Sequence, residues 1–143
     1  MLLGEFKHNL DSKNRLTIPV KIRMELGEKP VLTRGLDNCL FIYPHRDFEL
    51  FMEKLNLLPL SQKKARNFKR FMLSGASEIE IDEMGRILIP KSLKKYSEIK
   101  KEIVIIGVQD RVELWSENVW NKYIMEAEKE SGDLAEGLEQ FGI

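Results

Sequence analysis

The sequence is poor in the residues from which most catalytic and metal sites are built. Its 143 residues include one cysteine, Cys39, and two histidines, His8 and His45. A single cysteine cannot form an intramolecular disulfide, and the two histidines lack the spacing of zinc ligands. The sequence also has no glycine-rich phosphate loop and no nucleophile elbow. We therefore expect no enzyme activity, no metal, no cofactor and no small-molecule substrate.

Long apolar runs are also absent. Runs such as Ile103–Val108 are six residues long, whereas a membrane-spanning helix needs about 20 residues. The first eight residues do not have the basic-then-apolar order of a secretion signal. These features predict a cytoplasmic protein without membrane contact.

The charges balance over the whole chain but not within it. There are 23 basic and 23 acidic side chains, so the formal net charge is zero. Residues 1–74 carry 14 basic and 8 acidic side chains, whereas residues 75–143 carry 9 and 15. Residues 126–143 hold six acids and one base. This distribution permits a local basic surface for a polyanion, and the alternatives are ordinary surface scatter and head-to-tail self-association.

An internal repeat organises the chain. Residues 11–19 read DSKNRLTIP and residues 82–90 read DEMGRILIP, so aspartate, arginine, isoleucine and proline recur at an offset of 71. A second pair of segments, Val31–Tyr43 and Ile103–Trp115, follows at an offset of 72. Two matching segments in the same order indicate a duplicated unit.

Each copy predicts the same order of elements. An extended segment, Gly4–Leu10 or Glu78–Ile81, leads into a tight turn and a short strand. A short helix follows a proline, and its predicted bounds are Val20–Leu26 or Lys91–Tyr96. Next comes a hairpin, predicted at about Val31–Arg34 with Leu40–Tyr43 or Ile103–Gly107 with Val112–Trp115. An amphipathic helix, His45–Leu57 or Glu117–Ala127, closes each copy. Between the copies, residues 61–73 predict a basic helix that is capped by Ser61. This helix either contacts phosphates or lies at a subunit interface, and we favour the interface because its apolar residues need a cover.

The residues at 11–14 and 82–85 are of types that favour tight turns. Asp11 and Asp82 suit the first turn position, because an aspartate side chain accepts hydrogen bonds from the backbone that follows. Gly85 suits a position with positive φ, and Asn14 is the next best residue for that conformation. The aspartates either cap these turns or also brace the arginines that follow.

With these two motifs the chain resembles the MraZ family of bacterial regulators, within the AbrB/MazE/SpoVT group of DNA-binding proteins. The resemblance extends from about Met1 to Tyr123. It implies an α+β fold with a mainly β core, in which two tandem repeats form a swapped-hairpin (double-split) β-barrel with peripheral helices. The expected division is a first DNA-binding repeat (residues 5–47), a helical connector (48–75), a second repeat (76–119) and a C-terminal helix with an acidic mobile tail (120–143).

The resemblance also implies a function. It predicts a sequence-specific transcriptional regulator that represses the bacterial cell division and cell-wall operon, which includes its own gene. Such proteins bind direct repeats in double-stranded promoter DNA as a homo-oligomeric ring, so an association with the nucleoid is expected. The alternatives are an antitoxin-like module of the same fold that binds a toxin partner and autoregulates, and a purely structural ring.

The resemblance assigns roles to the turn residues. We expect Arg15 and Arg86 to read guanine, because an arginine can donate two hydrogen bonds to O6 and N7 in the major groove. Lys13 is expected to bind a phosphate. The supporting residues of the turns are Asp11, Asn14, Asp82 and Gly85. Two departures from the family pattern are Asn14, where glycine is usual, and Glu83-Met84, which puts an acid near the expected DNA face.

Overall fold

Two antiparallel sheets organise the chain in the computed structural model, which describes all residues from Met1 to Ile143. The strands are β1 (Leu2–Asn9), β2 (Arg15–Thr17), β3 (Val31–Arg34), β4 (Leu40–Tyr43), β5 (Ser77–Glu78), β6 (Arg86–Leu88), β7 (Glu102–Gln109) and β8 (Val112–Ser116). The helices are α1 (Val20–Leu26), α2 (His45–Asn56), α3 (Lys63–Ser74), α4 (Lys91–Ser97) and α5 (Glu117–Lys129), followed by a 3₁₀ helix (Glu139–Phe141). None of the helices combines the length and apolar composition that a bilayer crossing requires.

The two repeats exchange their first strands. The large sheet has the order β1-β7-β8-β4-β3-β5, so β1 of the first repeat pairs with the second repeat, and β5 of the second pairs with the first. The order is symmetric about the β8–β4 junction, where Leu40 faces Leu114 and Ile42 faces Val112. The second strands of the two repeats, β2 and β6, pair with each other as a separate two-stranded ribbon. Neither repeat therefore completes a sheet by itself.

The predicted fold class is correct, but no closed barrel is present. β1 and β5 are free edges of the six-stranded sheet, and the β2–β6 ribbon forms a sheet of its own. The architecture is a mixed α+β one, with a large antiparallel sheet and five helices.

Several element boundaries agree with the sequence prediction to within two residues, and two of the differences have a clear structural cause. The second extended segment is shorter than the predicted Glu78–Ile81, because β5 pairs with β3 only at Ser77 and Glu78. Beyond this point Ile79 N–H donates to the carbonyl of Pro30 at 2.9 Å, and Pro30 has no N–H with which to continue the ladder. The predicted cap of α3 is also wrong. The helix begins at Lys63, after Gln62, and Ser61 does not cap it because no side chain does.

Two hydrophobic cores lie on opposite faces of the large sheet. The first contains 17 buried residues, and it joins the sheet to the ribbon, α1 and α4. Leu16 and Ile87, the central pair of the ribbon, are 0% and 1% exposed. The second core contains 10 buried residues, including Trp115 and Trp120, and it joins the sheet to α2, α3 and α5. The ribbon is therefore fixed from behind by a packed core.

The apolar face of α3 is covered by its own chain. Met72 is 1% exposed, and Phe68 and Phe71 pack against the second core. The hydroxyl of Thr33 donates to the Met72 carbonyl at 2.5 Å, which ties the end of the helix to β3. These residues therefore do not need a subunit interface as their cover, because the helix packs on a sheet that the sequence pattern did not place beside it. A position of α3 at an interface between copies stays a prediction.

The β1–β7 pairing predicts a strong effect of one glycine. In the register Gly4 faces Gly107, and a Cβ added at Gly107 would clash with the backbone of Leu2 and Leu3. Because backbone atoms cannot rotate away, Gly107→Ala should force β1 to shift and destabilise the fold by about 1–3 kcal/mol. Urea unfolding measures this effect. Gly132→Ala is the control, since no atom lies within 4 Å of the position that its Cβ would take, and equal stabilities of the two variants would contradict the expectation.

Candidate nucleic-acid interface

The two turns before β2 and β6 have the same hydrogen-bond geometry. Asp11 Oδ1 accepts from the backbone N–H groups of Lys13 and Arg15, both at 2.9 Å, and its Oδ2 accepts from Arg15 Nε at 2.7 Å. Asp82 repeats this pattern, accepting at Oδ1 from Met84 and Arg86 at 2.9 Å and at Oδ2 from Arg86 Nε at 2.8 Å. Each aspartate therefore caps its turn and also braces its arginine, so both of the predicted roles are present.

Each turn closes through a residue in the left-handed region. Asn14 has φ of 60° and Gly85 has φ of 79°. The N–H of Asn14 donates to the Asp11 carbonyl at 3.1 Å, and that of Gly85 donates to the Asp82 carbonyl at 2.9 Å. The expected conformation is confirmed at both positions, and asparagine adopts it with less strain than most residues.

The ribbon register puts both arginines on one outward face. Arg15 lies opposite Leu88, and Thr17 lies opposite Arg86. Side chains alternate along a strand, so these four point away from the core into which Leu16 and its partner point. Diagonal neighbours of this kind are about 7–8 Å apart in an antiparallel pair. We call these four residues, Arg15, Thr17, Arg86 and Leu88, the ribbon face.

The arginines of the ribbon face are bound through Nε and keep free hydrogen-bond donors at Nη. Their side chains are 31% and 22% exposed, and each is bound to its aspartate through Nε. Neither Nη atom of Arg15 or Arg86 takes part in a hydrogen bond within the chain. The aspartate thus fixes the guanidinium plane while two parallel N–H donors remain available to an external acceptor pair.

The hydrogen bonds of the two turns favour the ionised form of Asp11 and Asp82. Hydrogen bonds from the backbone of Arg15, reinforced by its side chain, lower the pKa of Asp11 below its ordinary value despite partial desolvation. The same contacts from Arg86 lower the pKa of Asp82. Both carboxylates are therefore ionised at neutral pH and bind the arginines as ion pairs.

Each turn is also supported by a cation from the other repeat, a feature that the sequence interpretation missed. Lys94 of α4 donates from Nζ to Asn14 Oδ1 at 2.7 Å. Arg23 of α1 lies against Gly85, where its guanidinium occupies the space that an added Cβ would need. The signal was present in the repeat, since Arg23 and Lys94 are both basic and are 71 positions apart.

The two turns differ at their tips. Lys13 is exposed in the first turn, and Met84 occupies the equivalent position of the second turn with 68% exposure. Glu83 is also exposed there. The first turn therefore presents more positive charge at its tip than the second, since each turn also has one supporting cation, Lys94 or Arg23.

The chain matches one protein family over nearly its whole length. A family model described as "MraZ protein, putative antitoxin-like" matches twice, at residues 1–71 and 72–140. The chain belongs to the MraZ family.

Full-length relatives agree with this assignment. The chain is 50% identical to the transcriptional regulator MraZ of Halothermothrix orenii, 50% identical to that of Caldanaerobacter subterraneus and 51% identical to that of Clostridium tetani. Each match covers 143 residues and all of both chains. These names are those of regulators and not of enzymes, in agreement with the prediction that the chain has no catalytic function.

The contact between Gly85 and Arg23 in this MraZ family member predicts a non-additive pair of substitutions. Gly85→Ala strains a residue at positive φ by roughly 1–2 kcal/mol, and its Cβ also displaces the Arg23 guanidinium. In an Arg23→Ala background only the backbone strain remains, so the same substitution should cost less. Urea unfolding of the four proteins of this double-mutant cycle measures the difference. Additivity within about 0.5 kcal/mol would show that the contact has no energetic effect.

The lowered pKa values of Asp11 and Asp82 predict a pH-dependent contribution to stability. A carboxylate whose pKa is lower in the folded state stabilises the fold above its unfolded pKa, about 3.9, and loses this effect as the pH falls through the folded value. The double variant Asp11→Asn, Asp82→Asn should therefore be less stable than wild type at pH 7, and the difference should shrink below about pH 4. Urea unfolding across this range tests it.

A matched control and a contradicting result are available for this experiment. Asp133→Asn removes a carboxylate that makes no side-chain hydrogen bond in the tail. If the double variant and wild type differed by the same amount at neutral pH and in acid below the folded pKa values, the aspartates would not act as ionised acceptors in the turns.

Proposed function

We propose that the chain is a transcriptional regulator that binds double-stranded DNA in a sequence-specific manner through the ribbon face. The observation that carries the proposal is the pair of arginines, Arg15 and Arg86, on one outward face of the β2–β6 ribbon. Each is fixed through Nε, and each keeps both Nη groups free. The names of the full-length relatives support the assignment to transcription.

The dimensions of the ribbon suit the major groove of B-DNA. This groove is about 12 Å wide and admits a two-stranded β-ribbon. A guanidinium with two parallel free donors matches guanine O6 and N7, and each such contact discriminates against other bases by roughly 1–3 kcal/mol. Lys13, which is exposed in the first turn, is proposed to bind a phosphate, a contact that positions the protein but does not read sequence.

One ribbon makes few contacts, so we propose that copies act together. Linking sites in an oligomer makes later contacts intramolecular and raises avidity by roughly 10²–10⁴-fold. A homo-oligomeric ring of rotationally related copies presents each ribbon in the same orientation, which suits direct repeats in promoter DNA. The basic α3, with Lys63, Lys64 and Lys69, and the acidic residues 126–143 provide opposite charges for contacts between copies.

The target genes and the cellular location are proposed from the resemblance to the MraZ family. We propose that the regulator represses the bacterial cell division and cell-wall operon that includes its own gene, and that it acts in the cytoplasm at the nucleoid. We also propose that the sheet and the ribbon together correspond to an open swapped-hairpin (double-split) barrel, because both pack against the first hydrophobic core although their strands do not close into one sheet. The division into repeats at 5–47 and 76–119, a connector at 48–75 and a terminal segment at 120–143 belongs to the same proposal.

An antitoxin-like role is the second candidate. It is favoured by the description of the matching family model and by the acidic residues 126–143, most of which are exposed. A basic toxin would bind this segment, and the ribbon face would remain free for autoregulation. Co-purification with a small basic protein encoded beside the gene distinguishes this role from that of a regulator acting alone.

The double variant Arg15→Ala, Arg86→Ala tests the proposed function. It should lose sequence-specific binding to the DNA upstream of the gene, by roughly 1–3 kcal/mol for each arginine, because no other residue of the ribbon face has paired donors. The binding of wild type and variant is measured by titration at one fixed salt concentration, since DNA affinity depends strongly on salt.

The control variant removes the same charge elsewhere. Arg46→Ala, Lys54→Ala changes two exposed cations of α2, which packs on the opposite face of the sheet from the ribbon. The control should bind the upstream DNA as wild type does. Equal losses in the two variants, or full specificity in the Arg15 and Arg86 variant, would refute the role of the ribbon face.

A further inference from the structure

We propose that Leu88 forms a subsite for the methyl group of a thymine beside the guanine read by Arg15. The inference rests on the proposed function, because it concerns the same ribbon face. It adds a second chemical type of base to the sequence that this face selects, and it makes the two halves of the face unequal.

The register brings Leu88 next to Arg15. The two residues are directly opposite, and the hydrogen bonds at the two ends of the ribbon, from Ile18 N–H to the Gly85 carbonyl and from Ile89 N–H to the Asn14 carbonyl, are 2.9 Å long. Leu88 and Arg15 therefore form a non-hydrogen-bonded pair, whose Cα atoms are about 4.5 Å apart and whose side chains are close. Successive bases along one strand are about 3.4 Å apart, so the two side chains can reach neighbouring base pairs.

Leu88 is exposed although the residues beside it are not. Its exposed fraction is 60%, whereas Ile87 and Ile89 are each 1% exposed. It belongs to neither hydrophobic core. A single exposed leucine is common on protein surfaces, so exposure alone implies nothing. Its position in a row with two free guanidinium groups is what points to a ligand.

The chemistry of the groove selects thymine for such a side chain. Only thymine presents an apolar group, its C5-methyl, in the major groove, and apolar side chains contact it. Cytosine presents an N4 amino donor instead, which a leucine cannot satisfy. An exposed leucine beside a guanine-binding arginine therefore favours a thymine next to that guanine.

The equivalent position of the first repeat differs. Thr17 lies opposite Arg86 as Leu88 lies opposite Arg15. The methyl group of Thr17 can also contact a thymine methyl, but its hydroxyl accepts or donates hydrogen bonds, so it discriminates less among bases. The Arg15–Leu88 pair thus selects thymine more strictly than the Arg86–Thr17 pair does. The ribbon face consequently has a direction on DNA, although the backbone that carries it is nearly symmetric.

The experiment begins with DNA selected by the wild-type chain from random duplexes, so that no binding sequence is assumed. Each thymine of the selected duplex is then replaced by deoxyuridine, which lacks only the C5-methyl. Wild type should bind one of these duplexes about three- to fivefold more weakly, the effect expected for one buried methyl group. Leu88→Ala should bind the thymine and deoxyuridine duplexes equally. Leu57→Ala, which truncates a leucine that is 85% exposed at the end of α2, should behave as wild type.

The outcomes separate the inference from the function on which it rests. If wild type enriches no sequence, the proposed function itself fails. If a sequence is enriched but no thymine is sensitive, or the sensitivity persists in Leu88→Ala, the methyl subsite is wrong and the guanine-reading role stands. Leu88→Thr, which copies the first repeat, provides a second variant and should retain only part of the sensitivity.

Discussion

The antiparallel pairing of β2 with β6 is the contact on which the site depends. One strand comes from each repeat, and they are joined by three residue pairs with one further backbone hydrogen bond at each end. Such a short ribbon would be unstable in isolation. It is held because Leu16 and Ile87 lie in the first core with residues of the large sheet. The same pairing that completes this core therefore places the two arginines on the opposite, outward face.

Duplication also explains how two short turns are kept rigid. Each aspartate fixes the turn that precedes its own arginine, so this support is local in sequence. The second support comes from the other repeat, since Lys94 binds Asn14 and Arg23 lies on Gly85. The difference between asparagine and glycine at the two turns follows from these partners. A lysine amine needs an acceptor, whereas a flat guanidinium needs the space that a Cβ would fill.

The sequence was sufficient for features that depend on local chemistry. The bounds of α1, β3 and β4 and the positive φ of Asn14 and Gly85 all follow from proline, glycine and apolar periodicity. The features that it did not predict depend on contacts between distant segments. β5 ends early because Pro30 cannot donate to it, and Arg23 reaches a turn in the other repeat. Periodicity contains no information about either contact.

The two repeats of a duplicated chain can diverge in sequence, whereas two identical chains cannot differ from each other. In a pair of identical chains, every residue of the face would occur twice, and the preferred DNA would be a palindrome. Here the backbone keeps the symmetric strand order, while Thr17 and Leu88, and Lys13 and Met84, have diverged. The scaffold is constrained by the shared core, whereas the outward side chains contribute little to packing and are free to change. The chain therefore keeps the near-symmetric fold while the two halves of the ribbon face differ, and under the proposed function this difference would give the face one orientation on DNA, as the proposed direct repeats require.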